Sequence, residues 1–186
     1  NSEKSDTGRP LRVLVPIFDL INHARDHNAE FVREGDFLVV RARRDIAANS
    51  EMFISYGGST QPAWKCLFSY GFVPNTEDIY EDDEAEIVVE GSRFVVNPTE
   101  VPFELMELEA EKLGLPTGDD LELTPEMGSR IVDHILDAAK ELHNSSGKEV
   151  SDKDTSAKLV DDLRRSNWRT LRACAGGLKE YIESIA

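Results

Sequence analysis

Three short runs carry most of the side chains in this sequence that could do chemistry. Val15-Pro16-Ile17-Phe18-Asp19-Leu20-Ile21-Asn22-His23 is an apolar stretch that ends in hydrogen-bonding groups, Asp19, Asn22 and His23. Phe53-Ile54-Ser55-Tyr56-Gly57 is a second apolar stretch, closing on a tyrosine 33 residues after His23. Tyr70-Gly71-Phe72 follows. Tyrosines suit the wall of a narrow channel, because the ring packs along an aliphatic stem while the hydroxyl contacts a polar tip. A partly dry channel of this kind favours a neutral amine over an ammonium by desolvation. Plainer roles stand beside these. Asn22 and His23 could form a turn that bonds its own backbone, and Asp19 could cap that turn. Tyr56 could be an ordinary strand-end aromatic, and Phe72 an ordinary core residue. His23 and His27 are four apart with Asp19 and Asp26 nearby, which on a helix would place two imidazoles on one face, as in zinc hydrolases. No Glu stands at the base position of such a motif, and Asn28-Ala29 leads into a strand, so no metal is expected.

The elements that must position these residues are short. Leu11 to Pro16 reads as an apolar strand. Ala29 to Glu34 and Phe37 to Arg43 are β-prone runs around Gly35-Asp36, a tight-turn signal. Met52 to Tyr56 is a further strand. Thr60 can cap a helix that has Pro62 near its first turn and runs to Tyr70, where Gly71 stops it. Residues 76–86 are strongly acidic and read as an exposed linker. Ile87 to Glu90 and Arg93 to Val96 form β-prone runs around Gly91-Ser92.

From Pro102 the pattern becomes helical. Phe103, Leu105, Met106, Leu108 and Leu113 share a face, and Gly114 with Pro116 ends that helix. Thr124-Pro125-Glu126 opens a second helix, striped by Ile131, Ile135, Leu136, Ala139 and Leu142. A polar loop over 144–155 precedes a helix over 159–185, in which Gly176-Gly177 marks a candidate break. Trp64 and Trp168 read as packing anchors. The chain thus divides near residue 85 into a strand-rich part and a helical part, behind a polar lead-in over 1–10.

The 186 residues fit one medium domain or two small ones, and a 40% apolar fraction can build a core. The net charge of −15 repels nucleic-acid phosphates and anionic membranes and would attract a basic protein segment. It also serves solubility. No apolar run reaches the roughly 18 residues of a membrane span. Cys66 and Cys174 form no CxxC motif, so a zinc knuckle or disulfide framework is not expected and a reducing compartment is the default. A soluble, intracellular chain is the expectation, with the compartment (cytoplasm, nucleus or plastid) open.

The ordered set Asp19, Asn22, His23, Asn28, Tyr56, Gly57, Tyr70, Gly71 and Phe72, with Arg41-Ala42-Arg43-Arg44-Asp45-Ile46 between, resembles the C-terminal half of a SET-domain protein-lysine methyltransferase. The Ile-Ser-Tyr-Gly and Tyr-Gly-Phe pieces are most similar to the branch of the RuBisCO large-subunit methyltransferase. The resemblance implies an α+β fold: the C-terminal part of a SET β-fold over 11–85, then an all-helical substrate-binding domain over 86–186. It implies S-adenosylmethionine (SAM) as the cofactor and a protein lysine as the acceptor. By this resemblance Tyr56 is catalytic, Asn22 and His23 contact the cofactor, Phe72 is a wall for its adenine, and Asp19 and Tyr70 line the lysine channel. Ser50 before Glu51, and Gln61 after Tyr-Gly, depart from the family pattern. The family's N-terminal SET half, with its Gly-rich cofactor loop, is missing here, so these residues alone are expected to be inactive. The partners expected are a protein substrate, with a basic segment suited to the charge, and that missing half. A non-catalytic protein-binding module built on a SET remnant is the alternative.

Overall fold

A computed structural model of the chain describes residues 14–57, 61–74, 79–145 and 155–186. The fold is α+β, with short two-stranded sheets followed by a helical C-terminal part. Two compact units divide it, Asn1–Gly58 and Ser59–Ala186. Residues 61–74 and 79–85, grouped with the strand-rich part by their sequence, therefore fall in the same compact unit as the later helices.

In the first unit, β1 (Asn22–His23) pairs in parallel with β4 (Phe53–Ile54), and β2 (Ala29–Glu34) pairs antiparallel with β3 (Phe37–Ala42). The β2–β3 hairpin forms where alternating β-prone residues flank Gly35-Asp36. Gly35 takes φ 60°, which costs glycine little. The strand expected over Leu11 to Pro16 lies partly outside the described residues, and Leu14 to Pro16 are not strand. Instead the chain turns there. Val15 N–H donates to the Asp19 carboxylate at 2.6 Å, Asp19 N–H donates to Val15 O at 3.1 Å, and a 3₁₀ turn follows over Phe18–Leu20. Ile17, at the start of that turn, has φ 71°, a strained value for a β-branched residue.

The second unit holds α1 (Ala63–Tyr70), the hairpin β5 (Ala85–Val89) and β6 (Ser92–Val96), α2 (Phe103–Leu113), α3 (Pro125–Ser145) and α4 (Thr155–Ile185). Gly71 and Gly114 close α1 and α2 in the left-handed conformation, as their positions predict. The expected Thr60 cap lies outside the described residues. The β5–β6 turn centres on Glu90-Gly91, one residue earlier than expected, with φ of 52° and 83°. The inner face of β5 (Ala85, Ile87, Val89) packs with Leu105 of α2, the Met127–Ile131–Ile135–Ala139 stripe of α3, and Leu171, Cys174, Ala175 and Leu178 of α4. Each of the larger side chains buried there contributes about 1.5–3 kcal/mol. α4 runs unbroken through Gly176-Gly177. Gly128 of α3 is small for a reason: a Cβ there would stand 2.7 Å from the Ile182 side chain.

Two sequence expectations need correction here. The acidic stretch before β5 is not a freely solvated linker where it is described. Asp83 is 3% exposed and accepts from Tyr80 N–H, Asp82 accepts from Gln61 N–H at 2.7 Å, and Glu84 accepts from the Trp64 indole at 2.8 Å. Trp64 is accordingly no core anchor, being 44% exposed. Trp168 does pack on the core, with His143 and the Arg172 guanidinium beside its ring.

The two units differ in how much they bury. In the first, only Ala29 and Ile54 among the described apolar side chains are buried, while Leu14, Ile17, Leu20 and Phe37 are largely exposed. The continuous core belongs to the second. Hydrogen exchange on the 186-residue chain should therefore show amides of β1–β4 exchanging at least about 10²-fold faster than those of α3 and α4. Equal protection in both units would contradict that difference.

Candidate functional site

The site in the first unit is built by the β1–β4 ladder. Asn22 pairs with Phe53 and His23 with Ile54, and Ala24 N–H extends the ladder to Ile54 O at 3.2 Å. Two residues beyond the strand, Tyr56 comes to lie against His23. Its backbone N–H donates to His23 Nδ1 at 3.2 Å, and the two rings sit 5.3 Å apart between centroids. Accepting at Nδ1 places the proton of the neutral ring on Nε2. The Tyr56 hydroxyl donates to Ile21 O at 2.8 Å. A phenol committed as donor in this way turns acceptor lone pairs toward any second partner, a geometry suited to receiving an N–H.

Asn28 fastens the strand that carries Tyr56. Its Oδ1 accepts from Phe53 N–H at 2.8 Å and its Nδ2 donates to Glu51 O at 3.0 Å. A side-chain amide thus does the work of a neighbouring strand across 23 to 25 residues of sequence. Asn22 Nδ2 in turn donates to the Glu51 carboxylate at 2.6 Å. Glu51 and the Ile21 carbonyl are the members of this site that carry no role in the sequence reading. A main-chain carbonyl leaves no trace in residue type. Glu51 leaves only its place just ahead of the tyrosine strand.

Asp19 is exposed and closes the turn on Val15, as described above. The residues that suggested a metal are engaged otherwise. Arg44 grips Asp26 through two bonds of 2.8 Å and holds its carboxyl below the usual value. The His27 ring lies between Arg25 O and the Arg43 guanidinium. Among the described residues, no group of three or more His, Cys, Asp or Glu side chains is placed to hold a metal ion.

Tyr70 and Phe72 belong to the second unit, at the end of α1 and just past it. Their rings lie 6.2 Å apart, with Tyr70 half exposed. The structure thus brings the predicted residues together in two sets, Asn22 with His23 and Tyr56, and Tyr70 with Phe72, each within its own unit. No helix among the described residues is long and apolar enough to cross a membrane.

The SET-domain family model matches residues 2–57 of this chain. SET domain-containing protein 8 of Schizosaccharomyces pombe is 40% identical over 65 residues, covering 35% of this chain and 15% of that protein. N-lysine methyltransferase SETD6 of Homo sapiens is 35% identical over 86 residues, covering 46% of this chain and 18% of the relative. N-lysine methyltransferase setd6 of Xenopus tropicalis is 31% identical over 90 residues, covering 47% and 19%. The chain therefore spans less than a fifth of the length of these curated relatives.

Proposed function

We propose that this chain is part of a SAM-dependent protein-lysine N-methyltransferase. The observation that carries the reading is the parallel pairing of Asn22-His23 with Phe53-Ile54, which sets Tyr56 against His23 inside the segment that matches the SET domain. N-lysine methyltransferases among the similar proteins support the same reaction class. The finer reading, that the chain belongs to the RuBisCO-methyltransferase branch with 11–85 as SET domain and 86–186 as substrate-binding domain, rests on the resemblance of Tyr70-Gly71-Phe72 and the helical layout.

The residues present suit the cofactor. The exposed Asn22 amide, held by the Glu51 carboxylate next to His23, offers polar contacts suited to a cationic ligand. When bound, SAM supplies a methyl group on a sulfonium for in-line transfer. Asn22 and His23 would hold it. The Tyr56 hydroxyl, its proton directed at Ile21 O, would accept an N–H of the neutral lysine and aim the nitrogen lone pair along the transfer axis. The resemblance assigns Asp19 and Tyr70 to the lysine channel and Phe72 to the adenine wall. The charge of −15 suits a substrate whose lysine lies in a basic segment.

Titration calorimetry with SAM on the full-length protein tests the assignment. Asn22→Ala and His23→Ala should each weaken binding by about tenfold or more, the scale of one lost hydrogen bond to a charged ligand. Asp19→Ala should change it less, since that carboxylate closes the turn from Val15 to Asp19. Equal losses for all three variants would show the cofactor to be held elsewhere.

A further inference from the structure

We infer that Glu51, held in place by Asn28, is a positioning residue that fixes which end of the Asn22 amide faces a ligand. The inference rests on the functional reading above for its ligand, but its geometry stands on its own. A carboxylate only accepts hydrogen bonds, so the 2.6 Å contact requires the Asn22 NH₂ group to face Glu51. The Asn22 oxygen is then turned away from Glu51 as an acceptor. Without Glu51, an exposed amide can turn over and present either end.

An exposed polar pair is ordinarily weak, because two mobile side chains must be ordered to form it. Here both partners start from fixed backbone. Asn22 is locked opposite Phe53 in the ladder. Glu51 is locked by Asn28, which binds the carbonyl of Glu51 and the amide of Phe53 on either side of Met52. The backbone part of the ordering cost is met before the pair forms, which favours persistence of an exposed contact. The acceptor that results suits the α-ammonium of an amino-acid-like cation, which SAM carries. Glu51 acts on that group through Asn22.

SAM affinity of the full-length protein should fall about tenfold in Glu51→Ala, the equivalent of one hydrogen bond to a charged group. Glu51→Gln should restore most of it, because the glutamine carbonyl can accept from Asn22 Nδ2 as the carboxylate does. The KM for the protein substrate should stay unchanged in both. In the NMR spectrum, the Asn22 side-chain amide protons should remain shifted downfield in wild type and Glu51→Gln and return toward the position of a solvated amide in Glu51→Ala, with or without SAM. Circular dichroism guards against misfolding, and Asn28→Asp, which keeps the acceptor for Phe53 but loses the donor to Glu51, should weaken SAM binding in the same direction. Three results overturn the inference alone while leaving the functional reading intact: SAM binding as tight in Glu51→Ala as in wild type, an unmoved Asn22 amide signal, or a Glu51→Gln protein as impaired as Glu51→Ala, which would mean direct charge contact. Wild-type protein that binds no SAM would overturn the functional reading and this inference with it.

Discussion

On the proposed methyltransferase reading, replacing Tyr56 with phenylalanine in the full-length protein is expected to slow methyl transfer by about 10²-fold, the usual cost of removing one positioned polar group from a reacting centre. The fold should survive, because two of the contacts that place the residue do not involve the hydroxyl. The backbone N–H bond to His23 Nδ1 and the ring contact with His23 both remain. The hydroxyl's bond to the Ile21 carbonyl is lost. Its loss costs about 1 kcal/mol, too little to unfold a domain. SAM affinity should be nearly unchanged, since the hydroxyl faces the amine and not the cofactor in this reading. The measurement is the single-turnover rate with radiolabelled SAM and the native substrate, alongside a thermal melt. A variant that melts like wild type and methylates at the wild-type rate would remove Tyr56 from the catalytic role.

That Tyr56 and His23 belong together could be read from the sequence only by resemblance, and the physical reason is plain. A two-residue parallel ladder between Asn22-His23 and Phe53-Ile54 has almost no local signal, since its partners lie some 30 residues apart and neither strand is long enough to show a period. Elements whose pattern repeats locally were legible. The β2–β3 hairpin announces itself by alternation around Gly35-Asp36, and α2 and α3 by their apolar stripes, with Gly114 stopping the first and Thr124 placing its hydroxyl 3.3 Å from Met127 N at the start of the second. Charge misled where it was locally satisfied. Asp82, Asp83 and Glu84 look like solvated linker in sequence, but Asp83 accepts a local turn bond from Tyr80, and Asp82 and Glu84 accept from Gln61 and Trp64, partners about 20 residues away that no window of a few residues reveals. Gly176-Gly177 misled for the opposite reason. A break is the local preference of glycine, and it is overridden here by the packing of Leu171, Cys174, Ala175 and Leu178 on either side, which holds one continuous helix.

The same lesson gives the largest expected stability effect, at Glu109. In sequence it is one acid among several in α2, yet its side chain is fully buried. The signal was there in its register, four residues after Leu105 and one before Ala110, both of them buried. Two cations and a histidine converge on it: Lys112 at 2.6 Å, Arg130 at 2.7 Å and His134 at 3.1 Å, and Lys112 also reaches Glu90 in the β5–β6 turn at 2.9 Å. One carboxylate thereby ties α2 to α3, and through Lys112 to the hairpin. Burial by itself would push the Glu109 carboxyl up, but the bonds from Lys112, Arg130 and His134 outweigh it and hold it below its ordinary 4.5. Glu109→Leu should therefore destabilise the protein by about 3 kcal/mol, the lower end for removing one member of a buried charged cluster. The lower end applies because the partners left behind are partly exposed and can turn to water. For a unit of this size that is a fall of roughly 10 °C in the melting temperature. Glu109→Gln should lie between, keeping an acceptor but losing the charge. The pH dependence has a fixed sign. A carboxyl whose folded value is depressed adds stability that is fully present above its unfolded value and is lost as pH falls through the folded one. The gap between wild type and Glu109→Leu should accordingly be constant near neutral pH and narrow below about pH 4.5. Denaturant melts across that range measure it directly. A Glu109→Leu protein as stable as wild type at pH 7 would mean that the apolar core alone holds α2 in place and that the charged cluster adds nothing to it.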